Sequence, residues 1–165
     1  MAGSLWTKLW KQWFAWWSGS SRQALGEVTP SEELTTWVRQ HDVALPAGVV
    51  KYSRLMPREI EGRLEASVCR SSGLEEAGIW QICSEHFDPF NIGKPAIGRG
   101  VGPASVVYDQ AFSLDPNGDP YPQHADIVGW SNDPNTAYED KRQWWMIKAK
   151  LMAQHFRYVN RPAGL

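Results

Sequence analysis

The chain has 165 residues, 42% hydrophobic and 21% charged, and its 17 Lys+Arg against 18 Asp+Glu leave a formal net charge of −1. That length suits one domain with a self-sufficient apolar core, and the composition excludes a disordered chain. The balanced charge leaves no broad basic face, so nucleic acid is not expected as a partner.

Ten tryptophans are present, and Trp6, Trp10, Trp13, Trp16 and Trp17 stand within the first 17 residues. At about 100° per residue, these five fall on one half of a helical wheel with Leu5, Leu9 and Phe14. Thr7, Lys8, Lys11, Gln12 and Ala15 take the other half. The spacing predicts a separate amphipathic helix over residues 1–18, with the apolar half as a docking face and Lys8 and Lys11 at its polar edge. At about 1.5 Å per residue it spans roughly 20 Å, short of the ~30 Å hydrocarbon core of a bilayer. Its lysines also interrupt the apolar run that a secretory signal requires. Such a face fits a membrane interface, where indoles are favoured, or a hydrophobic groove on a protein partner. It also fits the core of its own domain. Gly3-Ser4 and Ser18-Gly19-Ser20-Ser21 read in addition as joints around an appended cassette. Burying each large side chain contributes about 1.5–3 kcal/mol against about 1–2 kcal/mol per ordered residue, so attachment is expected to be marginal and reversible.

Residues 19–28 read as a flexible linker and residues 29–165 as one α+β domain, a small antiparallel sheet packed by three helices. Thr29-Pro30-Ser31-Glu32 combines a capping box with proline at the first helical position, which predicts a helix to about Gln40 burying Leu34, Trp37 and Val38. Pro46 and Gly48 break the chain. Val49–Tyr52 and Leu64–Arg70 read as strands. A second helix follows from Ser72 to about His86, with Leu74, Ile79, Ile82 and Cys83 near one face and Trp80 beside them. Residues 87–102, with two prolines and four glycines, read as a long irregular loop. Ala104–Leu114 and Ala125–Trp130 form a strand pair around the turn Asp115-Pro116-Asn117-Gly118-Asp119. Asp133-Pro134 opens the last helix, to about Tyr158, with Trp145, Ala149, Met152 and Phe156 as its core stripe and Trp144 and Leu151 alongside.

Several residue sets carry candidate chemistry. Cys69 and Cys83, outside any CxxC pair, point to a reducing, cytoplasmic setting. Cys83 and His86 form a C-x-x-H without a second ligand pair, so no metal is expected. Asp115, Asn117, Asp119 and Asp126 imitate a calcium loop, but Pro120 stands where glycine is needed. Gly98-Arg99-Gly100-Val101-Gly102 is a weak anion cradle, read as a flexible loop. The best polar cleft combines Arg54, Arg58, Arg63 and Arg70 with His124 and Asp126, which share one side of a strand. Imidazole plus carboxylate suits acid–base work and arginine suits phosphate, while ion pairing at a strand end is the plainer reading. His124, Asp126, Arg54 and Arg70 are therefore the candidate catalytic residues, and no cofactor is implied.

Arg54-Leu-Met-Pro57, Ser67-Val68-Cys69-Arg70, Gly73-Leu74-Glu75-Glu76 with Ile79-Trp80, and His124-Ala125-Asp126-Ile127-Val128-Gly129-Trp130 together resemble a group of small uncharacterised bacterial proteins. These carry R-x-x-P, S-V-x-R, G-L-x-E-x-x-I-W and H-A-D-I-V-G-W segments in this order. The resemblance covers about residues 52–155, implies a bacterial or phage origin and a standalone accessory protein, and brings no activity with it. The sequence thus leads to a non-catalytic accessory or scaffold protein held peripherally at the inner membrane face or on a larger assembly by its N-terminal helix. The alternative is a small enzyme or toxin-like defence factor acting on a phosphorylated or nucleotide ligand.

Overall fold

The computed structural model describes residues 25–44 and 48–164. The expected tryptophan-rich helix and its docking face lie outside the described residues, as does most of the linker. The remainder is a sheet of nine antiparallel strands with few helices, which corrects the expected small sheet packed by three helices. The strands are β1 (Glu33–Val38), β2 (Val43–Ala44), β3 (Val49–Val50), β4 (Arg58–Ile60), β5 (Arg63–Arg70), β6 (Gly98–Pro103), β7 (Ser113–Asp115), β8 (His124–Val128) and β9 (Arg157–Asn160). The α-helices are α1 (Glu76–His86), the single turn α2 (Ser105–Tyr108) and α3 (Tyr138–Ala153), with short 3-10 turns at Gln40–Asp42, Tyr52–Arg54 and Asp88–Phe90. Lateral order is β2-β3-β9-β6-β1-β5-β8-β7, with β4 folded back on β5.

The largest departure is β1. The capping signal is real, since the Thr29 N–H donates to Glu32 Oε1 at 2.8 Å and the Glu32 N–H to the Thr29 carbonyl at 3.1 Å. It closes a turn, and the chain then extends. Thr35, Thr36 and Val38 are β-branched and Trp37 is aromatic, types that suit a pleated surface. Every residue from Leu34 to Val38 is buried, as a central strand between β6 and β5 requires. Burial on two faces outweighs a local start signal.

The segment expected to be a loop supplies the strand beside it. β6 pairs with β1 from Glu33↔Pro103 to Val38↔Gly98 and on its other side with β9. Its glycines lie under bulky neighbours: a Cβ on Gly102 would meet the Phe156 ring at 2.8 Å, and one on Gly100 would meet Val50 Cγ2 at 2.9 Å. Two further expectations shift. Residues 104–114 contain α2 before the short β7, and the last helix ends at Ala153, with β9 formed from its expected final turn. The pairing of residues 113–115 with 126–128 is present, as Leu114↔Ile127 and Asp115↔Asp126. β5 and α1 agree with expectation within a few residues.

Side chains alternate along each strand, so the sheet buries two faces. On one, Leu34, Val38, Ala66, Val68, Ala125 and Ile127 join Trp145, Ala149 and Met152 of α3 in the larger core. On the other, Trp37 and Cys69 pack with Trp80 and Cys83 of α1 and with Tyr121. No helix among the described residues is long and apolar enough to cross a membrane.

Candidate functional site

β1 and β5 are paired only at Leu34↔Arg70 and Thr35↔Cys69. Beyond that point β1 follows β6 to Val38 while β5 stays with β8 to Ala66↔Ile127. The two central strands part, and a cavity of about 420 Å³ occupies the fork. Thr36 and Trp37 line one arm and Glu65, Ala66 and Ser67 the other. Arg54, Met56 and Arg58 close one side, and His86, Phe87 and Phe90 at the end of α1 close another. Tyr121 and His124 complete the wall. The size is that of a small-molecule site, and a mainly apolar lining with a few convergent polar groups is the usual form of one.

Arg54 is the unusual member. Its side chain is 11% exposed and its Nε is buried without a hydrogen-bond partner. Among the described residues the guanidinium forms no hydrogen bond; the nearest carboxylate oxygen, Asp42 Oδ2, is 3.9 Å away. That oxygen already accepts from the Arg39 N–H and from Arg39 Nε, both at 3.0 Å. The guanidinium instead lies over the Phe87 ring, 5.3 Å from its centroid. Burial, with Arg58 and Arg39 nearby, lowers its pKa to about 10 against the pull of Asp42, so it stays charged at neutral pH. A guanidinium has five N–H donors, and nearly all buried polar groups are bonded. At the cavity wall, its charge is balanced only by the ion pair with Asp42 at 3.9 Å, and no described residue takes up its donors.

Opposite, His124 and Asp126 share one side of β8 as expected, with Nε2 to Oδ1 at 3.6 Å, too long for a hydrogen bond. Asn117 joins them. Its Nδ2 donates to Asp126 Oδ2 at 2.5 Å, and its Oδ1 lies 2.7 Å from His124 Nδ1. Asp126 Oδ1 also accepts from Ser67 Oγ at 3.0 Å. Burial lowers the His124 pKa against the upward pull of Asp126, Asp119 and Asp115. Glu65 is shifted up by burial and by Asp126 nearby. Tyr121, edge-on to His124 and stacked near His86, has its phenol raised well above its ordinary value by burial.

The fold gathers Arg54, Arg58 and His124 around one cavity, with Asp126 behind His124, and sends the other candidates elsewhere. Arg63 bonds Asp115 at 2.9 Å on the surface. Arg70 bonds Glu32 at 2.8 and 2.9 Å and donates to the carbonyls of Leu25, Gly26 and Glu27, fixing the chain where it enters the sheet. The suggested anion cradle at Gly98–Gly102 does not exist as a loop: its backbone lies in the sheet and Arg99 Nη2 bonds Glu76 at 2.7 Å. The calcium-loop imitation is accounted for by contacts within the protein, Asp126 with Ser67 and Asn117 and Asp115 with Arg63. Cys83 is buried in the α1 core. Trp37, Tyr121 and Phe87 carry no motif and enter the site only through the fold, and Asn117, read from the sequence as part of a turn and a calcium-loop imitation, enters it as the partner of His124 and Asp126.

Comparison of the chain with family models, with curated proteins and with solved structures gave no match.

Proposed function

We propose that this domain is a binding protein for a small phosphorylated ligand with a flat ring, of nucleotide type, held in the fork between β1 and β5. The observation that carries this reading is the buried Arg54 guanidinium, charged and without a hydrogen bond, at the wall of a cavity of about 420 Å³. A phosphate offers the planar fork its preferred bidentate acceptor. Arg58 adds a second cation at the same cavity. Trp37, Phe87, Phe90 and Tyr121 supply ring faces for stacking. The neutral composition of the chain speaks for a single small ligand over a nucleic acid polymer.

Calorimetric titration with ribonucleoside monophosphates and with inorganic phosphate tests the reading. Binding by the wild type, weakened by about tenfold or more in Arg54→Gln, is the expected result, since a charge-assisted hydrogen bond contributes about 1.5–3 kcal/mol. Absence of binding at millimolar concentration, or equal binding by Arg54→Gln, removes it.

The N-terminal segment adds attachment. Its indoles and its lysines sort onto opposite halves of a helical wheel, which supports peripheral association with the inner membrane face or a hydrophobic groove of an assembly. The chain enters the sheet where Arg70 holds residues 25–27, three to five residues along β5 from Glu65–Ser67, roughly 10–17 Å. Flotation with anionic vesicles, comparing the full chain with one beginning at Arg22, tests the attachment: equal flotation of both chains, or of neither, removes the membrane face.

A further inference from the structure

This inference rests on the nucleotide reading and names what the ligand must offer beside its phosphate. His124 lines the cavity, and the hydrogen-bond network behind it fixes which ring nitrogen carries the proton. Asn117 decides this. The Asp126 carboxylate can only accept, so the Asn117 atom 2.5 Å from it is the amide nitrogen. The Asp119 backbone N–H can only donate, and it points to the other Asn117 atom at 3.2 Å, which is therefore the oxygen. Two independent neighbours thus orient the amide the same way. Its Oδ1, 2.7 Å from His124 Nδ1, needs a proton between them. Nδ1 is the protonated nitrogen, and in the neutral ring Nε2 carries the lone pair.

We propose that His124 Nε2 is a fixed hydrogen-bond acceptor in this cavity and selects a ligand that presents a sugar hydroxyl beside its phosphate, a ribonucleotide over its dideoxy counterpart. The hydroxyl is the donor that fits: a phosphate oxygen would bring a lone pair against a lone pair, whereas Arg54 offers the donors a phosphate needs. Asp126 Oδ1 stands 3.6 Å from Nε2 and does not bond it, because with the ring proton on Nδ1 neither atom has a hydrogen to give. A site built to bond a hydroxyl rejects the analogue that lacks it, because the buried acceptor is then left without a donor.

The same network gives the site a pH signature. The carboxylates of Asp126, Asp119 and Asp115 pull the His124 pKa upward, and burial outweighs them. Cys69, across from His124 on β5, and Tyr121, edge-on to it, are both held in their neutral forms by burial. Glu65, His86, Arg54 and Arg58 share the cavity. His124 therefore keeps its lone pair through neutral pH and loses it only below the ordinary imidazole value of 6.5.

The test is calorimetric titration of the full chain with ribonucleoside monophosphates and their dideoxy counterparts, at about pH 7.5 and about pH 5. The expected result at the higher pH is about tenfold or greater preference for the ribonucleotide, abolished in His124→Ala. In the wild type the preference collapses toward the lower pH. In His124→Gln, whose amide oxygen accepts without titrating, it persists. Equal binding of the two ligands by the wild type overturns the inference and leaves the nucleotide reading standing; this comparison needs no variant to fold. A preference that survives in His124→Ala overturns it as well. Failure of every nucleotide to bind overturns both.

Discussion

Arg99 Nη2 lies 2.7 Å from Glu76 Oε2, and through this contact the first turn of α1 is tied to the middle of the sheet. The guanidinium also donates through Nη1 to Thr35 Oγ1 at 2.8 Å, and Trp80 Nε1 donates to Glu76 Oε1 at 2.7 Å. Arg99 is almost wholly buried while Glu76 is 39% exposed, so water still reaches the carboxylate and the pair is worth less than a fully enclosed one. Glu76→Ala leaves the indole N–H without its acceptor and takes from the buried cation its bonded carboxylate, leaving it Thr35 Oγ1 and the Glu33 carboxylate 3.6 Å away. It should lower the unfolding free energy by about 1–3 kcal/mol. Urea unfolding measures this, and the double variant Glu76→Ala/Arg99→Met should lose less than the two single losses added together.

Acid stability follows from the same contacts. Hydrogen bonds from Arg99 hold the Glu76 carboxyl below the usual carboxylate range, and those from Arg70 do the same for Glu32. A carboxyl with a depressed native pKa contributes stability that is present above its unfolded value and lost as pH falls through the native one. The contribution of these two carboxyls should therefore be level from neutrality down to the ordinary glutamate value of 4.5 and fall below it, on top of a separate loss that begins below 6.5 from His124, whose buried imidazole has a lowered native pKa. Urea midpoints measured across that range should show a shallower acid slope in Glu32→Gln/Glu76→Gln than in the wild type.

In β6 the glycines differ in what surrounds them. An added Cβ at Gly102 meets three atoms of the buried Phe156 ring at 2.8–3.0 Å, and that ring is enclosed by the main core. At Gly98 the clash with Tyr158 is closer, 2.3 Å, but the Tyr158 ring is only half buried and has solvent to move into. Gly102→Ala should cost about 1–3 kcal/mol and Gly98→Ala less. Thermal melting of the two variants ranks them, and the reverse order would mean that Phe156 moves aside more readily than Tyr158.

These glycines also show why the sequence was only partly legible. Strand β5 announces itself through alternating Leu64, Ala66 and Val68, and α3 through Trp145, Ala149 and Met152 on one stripe. Gly98-Arg99-Gly100-Val101-Gly102 has no apolar face of its own. It becomes a strand because Phe156 and Val50 fill the space its side chains leave, and those residues are distant in sequence. β1 then misled for a linked reason: a capping signal at Thr29–Glu32 is local, whereas the two partners that make Thr35–Val38 a central strand are not. At the site, side-chain alternation put His124 and Asp126 on one side of a strand. The fork that sets them across a cavity from Arg54 depends on where β1 and β5 part, and no spacing records that.

The thiols should be silent in the native protein. Cys69 and Cys83 are both buried, and desolvation raises each, Cys69 to about 12 and Cys83 further. Only the thiolate reacts, so a chromogenic disulfide reagent at mildly alkaline pH should modify neither in the folded chain and both after denaturation. Modification of either at native-state rates would show that the α1 core opens without global unfolding.

Arg70 separates entry of the chain from binding in the fork. Its guanidinium bonds both oxygens of Glu32 and the carbonyls of residues 25–27, and its side chain is 9% exposed. Arg70→Ala takes the arginine donors from these carbonyls and from the Glu32 carboxylate, which keeps only those of Thr29, a loss of about 2–4 kcal/mol if they stay dry. Lysine cannot restore it, because a single ammonium lacks the planar fork that reaches carboxylate and carbonyls together. Limited proteolysis should then cut both variants near residues 25–28 far faster than the wild type. Nucleotide titration, by contrast, should give the wild-type affinity in either variant at temperatures where it is folded, because Arg70 is not among the residues lining the fork. A fall in affinity to match Arg54→Gln would mean that the entry segment and the cavity are coupled through β5.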